Sequence, residues 1–210
     1  MTITILGVDP SLAATGLCRI VIDNDTPLGD DLTDTEFKNL TAVSTVTVHS
    51  HGTTKDLPPV RRRRVQAIRR QILKAGHGAD LVLIETPFYN RQSTQGAIMD
   101  RSWLWGSLLD GFAAAGTPVA HVAVQKVKGF ATGKGSGAGT DKTGVAAGMV
   151  KLWGDHVDPK GDNEYDALVL ASIGAVKMAR HRLPIRVQDR HMDLVAGINW
   201  DELDEKWMNS

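Results

Sequence analysis

The sequence predicts an α/β fold, a mixed β-sheet flanked by helices. Three observations carry this. Three strand-like segments come first, within residues 2–49. Helical and strand patterns then alternate, as they do when helices cover a sheet. Residues 81–84, Leu-Val-Leu-Ile, form an unbroken apolar run of the kind found in a strand covered on both faces.

The elements follow in order. Residues 2–8 are mostly β-branched and read as a strand, closed by an Asp9-Pro10-Ser11 turn. Residues 16–22 read as the second strand, and the Asp-rich stretch 23–34 as a loop. Residues 42–49 alternate at period two and predict a half-buried third strand. Pro58-Pro59 opens a helix over 60–75, with Val65, Ile68 and Ile72 as its core stripe and Gly76 and Gly78 at its end. After the strand at 81–84, a long helix spans 93–115 and carries Ile98, Trp103, Leu104, Leu108, Leu109 and Phe112, with Trp103 assigned to the core. A strand is expected at 118–124, a Gly-rich loop at 133–139, and helices at 141–152 and 162–180. Residues 182–210 read as a polar tail that packs across a dimer, contacts DNA or is disordered, so that 1–181 forms the folded domain.

At 210 residues and 42% hydrophobic, the chain is long enough for one sizeable core. No apolar run approaches the roughly 20 residues that span a bilayer. The N-terminus lacks a basic start followed by an apolar stretch, so no secretion signal is expected and a cytoplasmic location is the default. A single cysteine, Cys18, excludes an internal disulfide and a cysteine-based zinc site, and its apolar neighbours predict an inert buried thiol. The seven histidines show no metal-ligand pair at helical spacing.

Net charge is zero, but the charges are segregated. Seven basic residues and no acid lie between Arg61 and Lys74, and five lysines against one acid between Lys126 and Lys151. Such segregation makes a basic face on a neutral protein and makes Arg69 and Arg70 candidates for phosphate contact. Four consecutive arginines fan around a helix, so they cannot all meet one ligand.

The acids are more specific. Asp9 and Glu85 each end an apolar strand-like run, and Asp162 and Asp166 open a third apolar stretch. A carboxylate at the mouth of a buried strand is costly unless something pairs with it. Three such sites far apart in sequence point to one shared partner, and hard oxygen donors suit Mg²⁺. Two divalent cations about 4 Å apart hydrolyse phosphodiesters by activating a water and stabilising the leaving oxygen. Asp9 is the choice for the bridging ligand, and Asp162 and Asp166, at i and i+4, share one helix face. Capping of the helix start is the plain alternative for Asp162. The Gly-rich segment 133–139 lacks the spacing of a phosphate-binding P-loop, because Lys142-Thr143 comes too late.

Leu6-Gly7-Val8-Asp9-Pro10-Ser11 with Thr15-Gly16 downstream, Leu83-Ile84-Glu85-Thr86-Pro87-Phe88, and Asp166-Ala167-Leu168-Val169-Leu170-Ala171 together resemble the RuvC-type Holliday-junction resolvases. The three motifs occur in that family's order. The resemblance implies a ribonuclease H-like fold, a homodimer, and cleavage of four-way DNA junctions with two Mg²⁺ or Mn²⁺ ions per site. It implies metal ligands at Asp9, Glu85 and Asp166. The family places its paired helix acids three apart, and here that position is Asn163. Asn163, Asp162, or Glu164 in a late-starting helix supplies the fourth ligand. By local context the resemblance also places Lys128 and Lys142 near the scissile phosphate, Lys134 as a further DNA contact, Phe88 against unstacked junction bases, and the 93–115 helix with Trp105 at the dimer interface. The divergent loops and tail are compatible with a virus-encoded protein acting in the host-cell cytoplasm.

Three other readings stay open on sequence: a fork or flap nuclease, a junction-binding protein that does not cut, and a sugar-kinase or actin-like ATPase. The last begins with the same strand-Asp-turn, but a chain of 210 residues leaves little room for its second domain.

Overall fold

In a computed structural model, residues 1–28, 33–87 and 94–208 are described. Among the described residues the sheet has five strands, β1 (Thr2–Asp9), β2 (Ala14–Asp23), β3 (Thr41–His49), β4 (Leu81–Glu85) and β5 (Val119–Val122), in the order β3-β2-β1-β4-β5. β1, β2 and β3 pair antiparallel, whereas β1, β4 and β5 pair parallel. The sheet is therefore mixed, as the sequence predicts.

The helices in chain order are α1 (Asp34–Asn39), α2 (Pro58–Ala75), α3 (Gln95–Ala114), α4 (Val124–Thr132), α5 (Lys142–Trp153), α6 (Asp162–Ala179), α7 (Asp189–Ala196) and α8 (Asp201–Met208). They divide between the two faces of the sheet. Ile3, Ile5, Leu81 and Leu83 pack with α6, α4 and α5, while Leu6, Val8, Val82 and Ile84 pack with α2 and α3. Side chains alternate across a strand, so Asp9 and Glu85 share the face of Ile5 and Leu83, which is the α6 face.

α6 is the central helix. Its residues from Ala167 to Val176 are all buried. It lies close to the sheet because two strand residues lack a Cβ. A Cβ on Gly7 would come within 2.2 Å of the Ala167 carbonyl oxygen, and one on Gly16 within 1.8 Å of the Asn163 carbonyl oxygen. Gly16 is also the antiparallel partner of Asp9. The glycines thus set the first turns of α6 directly beside the end of β1.

Several elements depart from the sequence reading. The strand expected through residue 124 ends at Val122, and α4 follows, burying Val127, Phe130 and Ala131. α1 was hidden behind the Asp-rich loop, where Thr33 and Glu36 form a reciprocal capping box. Trp103 is 42% exposed rather than core; α3 buries Asp100, Leu104, Leu108 and Phe112 instead. Cys18 is buried as expected, and burial together with the nearby Glu164 raises its thiol pKa.

Residues after α6 return to the same chain's core. Leu183, Ile185, Val195, Ile198, Trp200 and Leu203 join the α6-side cluster. Glu202 accepts a hydrogen bond from the Val119 backbone N–H at 2.7 Å, at the start of the edge strand β5. Among the described residues no helix is long and apolar enough to cross a membrane.

Candidate active site

The site forms where β1 and β4 end. Val8 pairs in register with Ile84, and one further residue sets Asp9 beside Glu85. α6 enters from the side with Asn163 and Asp166 on the turn nearest them. The result is a polar pocket of about 240 Å³ lined by Asp9, Glu85, Asn163, Asp166 and Lys142, with Pro10, Ser11, Thr86, Pro87, Arg101 and Trp105 completing its wall. A larger hollow of about 670 Å³ lies at the far end of α6, but no carboxylate lines it.

All three carboxyls are shifted upward, chiefly by burial. Burial, then the charge of Asp166, pushes Asp9 up to about 7 despite the attraction of Lys142. Burial, then Asp9 and Asp166, pushes Glu85 up to about 8, with Lys128 opposing. Burial raises Asp166 to about 6, with Lys142 and Lys128 opposing and Asp162 adding to it. Carboxyls from three separate elements, buried together with their pKa values raised, mark a functional site more often than a structural one.

The neighbouring acids of α6 have different positions. Asp162 is the first residue of the helix, after an N-cap at Gly161. Its side chain is half exposed and pairs with Lys142 Nζ at 3.3 Å, at the rim of the pocket. Asn163 lines the pocket itself. Glu164 points away from it. Its carboxylate is buried and accepts hydrogen bonds from Thr45 Oγ1 at 2.7 Å, Thr47 Oγ1 at 2.9 Å and the Lys160 backbone N–H at 2.9 Å. The late-starting helix that would bring Glu164 to the site is not observed, because α6 begins at Asp162. Burial alone would raise the Glu164 pKa, but the three donors outweigh it and hold the carboxyl below its usual range.

The donor set fits a divalent cation in its chemistry. It consists of hard oxygens, and a cation would offset the burial of these carboxyls and the repulsion among them. As they stand, the side chains are not gathered into ligand geometry: among the described residues, no group of three or more His, Cys, Asp or Glu is arranged to hold an ion.

The basic candidates divide. Lys142 lines the pocket from the first turn of α5, and Lys128 on α4 is close enough to act on Glu85 and Asp166. Lys134 is exposed in the loop after α4. Arg69 is half-buried and donates from Nε to the Ser107 carbonyl at 2.9 Å, which ties α2 to α3, while Arg70 is exposed. Phe88 lies outside the described residues. Arg101 in the pocket wall escaped the sequence reading, as did the pocket position of Trp105. Their spacing, one turn apart on a helix whose neighbouring face is buried, is the signal that could have found them.

No protein-family model matches this sequence, and no curated protein matches it. Solved structures do. The chain is similar to Thermus thermophilus RuvC, with a TM-score of 0.58 at 23% identity over 80% of this chain and 91% of that one. It is equally similar to T. thermophilus RuvC in complex with Holliday junction substrate, at 0.58 and 20% identity over 84% and 96%. The yeast mitochondrial Holliday junction resolvase Ydc2 aligns at 0.50 and 9% identity over 96% of this chain and 83% of that one. At these identities the likeness is one of fold. The chain has the ribonuclease H-like α/β fold that the RuvC-type resolvases share.

Proposed function

We propose that the protein is a metal-dependent, structure-specific DNA endonuclease that resolves four-way junctions by paired phosphodiester hydrolysis. The observation that carries this reading is the convergence of Asp9, Glu85 and Asp166 in one pocket at the ends of a parallel strand pair. The shared fold with proteins described as Holliday junction resolvases supports it.

Asp9, Glu85 and Asp166 would hold two divalent cations, Mg²⁺ or Mn²⁺, with the Asn163 side-chain oxygen as a neutral donor. When bound, the cations supply Lewis acidity toward the phosphate and acidify the attacking water. Lys142 and Lys128 offset the negative charge that a DNA strand brings to three carboxylates. Asp162 acts one step further out by orienting the Lys142 ammonium. Paired nicks require two such sites, and a homodimer supplies them; Met99 and Trp103, exposed one turn apart on α3, suit that interface. Asn163, where an acid would bind more tightly, favours one second reading, a junction-binding protein that does not cut.

The test is a labelled four-way junction in Mg²⁺. Symmetric nicks by the wild type, lost in Asp9→Asn while junction binding persists, are expected. Binding with no nick in Mg²⁺ or Mn²⁺ selects the second reading. Equal cleavage of forks or flaps moves the substrate to branched DNA in general. Failure to bind any branched DNA rejects the proposal.

A further inference from the structure

The pocket has a wall that the metal chemistry leaves unexplained. Arg101 and Trp105 reach it from α3, on the other side of the sheet's end from α6. We propose that this face of α3 holds the substrate strand: Arg101 takes an oxygen of the phosphate next to the scissile one, and Trp105 packs against the adjoining nucleotide. The inference rests on the nuclease reading above and assigns two contacts to that site.

Charge is the first argument. Each nucleotide adds a negative charge to a pocket that already holds three carboxyls. Lys142 is partly committed to Asp162. Arg101 is exposed, and no ion pair or hydrogen bond of its side chain is found among the described residues. A guanidinium presents a planar fork of donors that matches a phosphate better than an ammonium does.

Rigidity is the second. Asp100, next to Arg101, is buried and bound by Arg61 through two hydrogen bonds, from Nε at 2.9 Å and Nη2 at 2.7 Å. Arg61 also donates to the Gly96 carbonyl at 3.0 Å, and Arg69 to the Ser107 carbonyl. Two arginines of the basic α2 run therefore brace α3 on both sides of the Arg101–Trp105 turn. Such bracing presets the position of a substrate contact.

Trp105 supplies the third. Its ring is half-buried and tilted at 54° against His121, centroid to centroid 5.3 Å. Its Nε1–H is buried without a hydrogen-bond partner among the described residues. An aromatic face beside a phosphate-binding cation is the common platform for a single nucleotide.

The experiment uses full-length Arg101→Gln, Arg101→Lys, Trp105→Phe and Trp105→Ala. Junction cleavage is measured by kcat/KM and by the positions of the nicks. Junction binding is measured against salt in the Asp9→Asn background, and melting checks each fold. Arg101→Gln is expected to lower kcat/KM by about tenfold or more and to reduce the salt slope by about one. Arg101→Lys restores the slope and not the full rate. Trp105→Ala loses about tenfold and broadens the nick positions, and Trp105→Phe keeps most of both. A wild-type rate and slope in Arg101→Gln overturn the Arg101 assignment, and sharp nicks at full rate in a folded Trp105→Ala overturn that of Trp105. A wild type that cuts normally alongside such variants leaves the nuclease reading intact; one that neither binds nor cuts removes both.

Discussion

Glu164 and Asp166 lie two residues apart on α6, and their carboxyls have opposite surroundings. Glu164 faces β3 and has three hydrogen-bond donors to itself. Asp166 faces the end of β1 and meets two other carboxyls. Burial costs both, but only Glu164 is compensated, and its pKa falls while that of Asp166 rises to about 6. A satisfied buried acid holds the fold together. A buried acid left in the company of its own kind stores a cost that a bound cation can repay, which is how a site is told from a brace.

The contrast can be broken most severely at the site. Asp166→Asn and Glu85→Gln should reduce junction cleavage below detection while leaving the fold intact. The same substitutions should raise the melting temperature of chelated protein at pH 8, because each removes a share of the repulsion. At this chain length 1 kcal/mol corresponds to about 2–4 °C.

Glu164→Gln should do the reverse. It leaves donors from Thr45, Thr47 and Lys160 poorly matched and costs about 1–3 kcal/mol. Cleavage per folded molecule should remain near wild type, measured below the lowered melting point.

The pH dependence separates the two acids again. A carboxyl whose pKa is raised on folding binds its proton more tightly in the native state, so it contributes stability that fades as pH rises through the folded value. For Asp166, Asp9 and Glu85 this window runs from the ordinary carboxylate range up to about 6, 7 and 8. Melting of chelated protein should therefore fall from pH 5 to pH 8. Glu164, with a lowered pKa, acts below this window: its contribution is present above its unfolded pKa and is lost as pH falls through the folded one. Removing it should flatten the acid limb only.

The smallest effect is expected at Asp162. Its link to Lys142 is half exposed, and exposed pairs are worth about 0–1 kcal/mol. Asp162→Asn should slow cleavage by a few-fold and leave melting unchanged. A loss as large as that of Asp166→Asn would move Asp162 into the metal-binding set.

Much of this was legible in the sequence. The apolar runs that end in Asp9 and Glu85 are strands because their residues alternate between two covered faces, and an acid at each end stands out. α2 was readable down to its buried stripe of Val65, Ile68 and Ile72. The start of α6 was not. Asp162, Asn163 and Glu164 are adjacent, and only the helix phase against Gly7 and Gly16 decides which one meets Asp9. The role of Glu164 was invisible because Thr45 and Thr47 lie on a strand more than a hundred residues earlier. α4 is not legible in the sequence, because its nine residues are too few to establish a helical period between the strand expected to 124 and the Gly-rich loop. Trp103 was misassigned for a related reason. The buried face of α3 repeats at 100, 104, 108 and 112, and Trp103 sits about a quarter-turn away from it.

The central claim is that the raised carboxyls are a cation site, and Mg²⁺ titration of chelated protein at pH 7.5, followed by melting, tests it most directly. Wild type and Glu164→Gln should each gain stability with added cation, and Asp166→Asn should gain little. A wild type indifferent to Mg²⁺ and Mn²⁺, or an Asp166→Asn variant stabilised as much as wild type, would contradict the account.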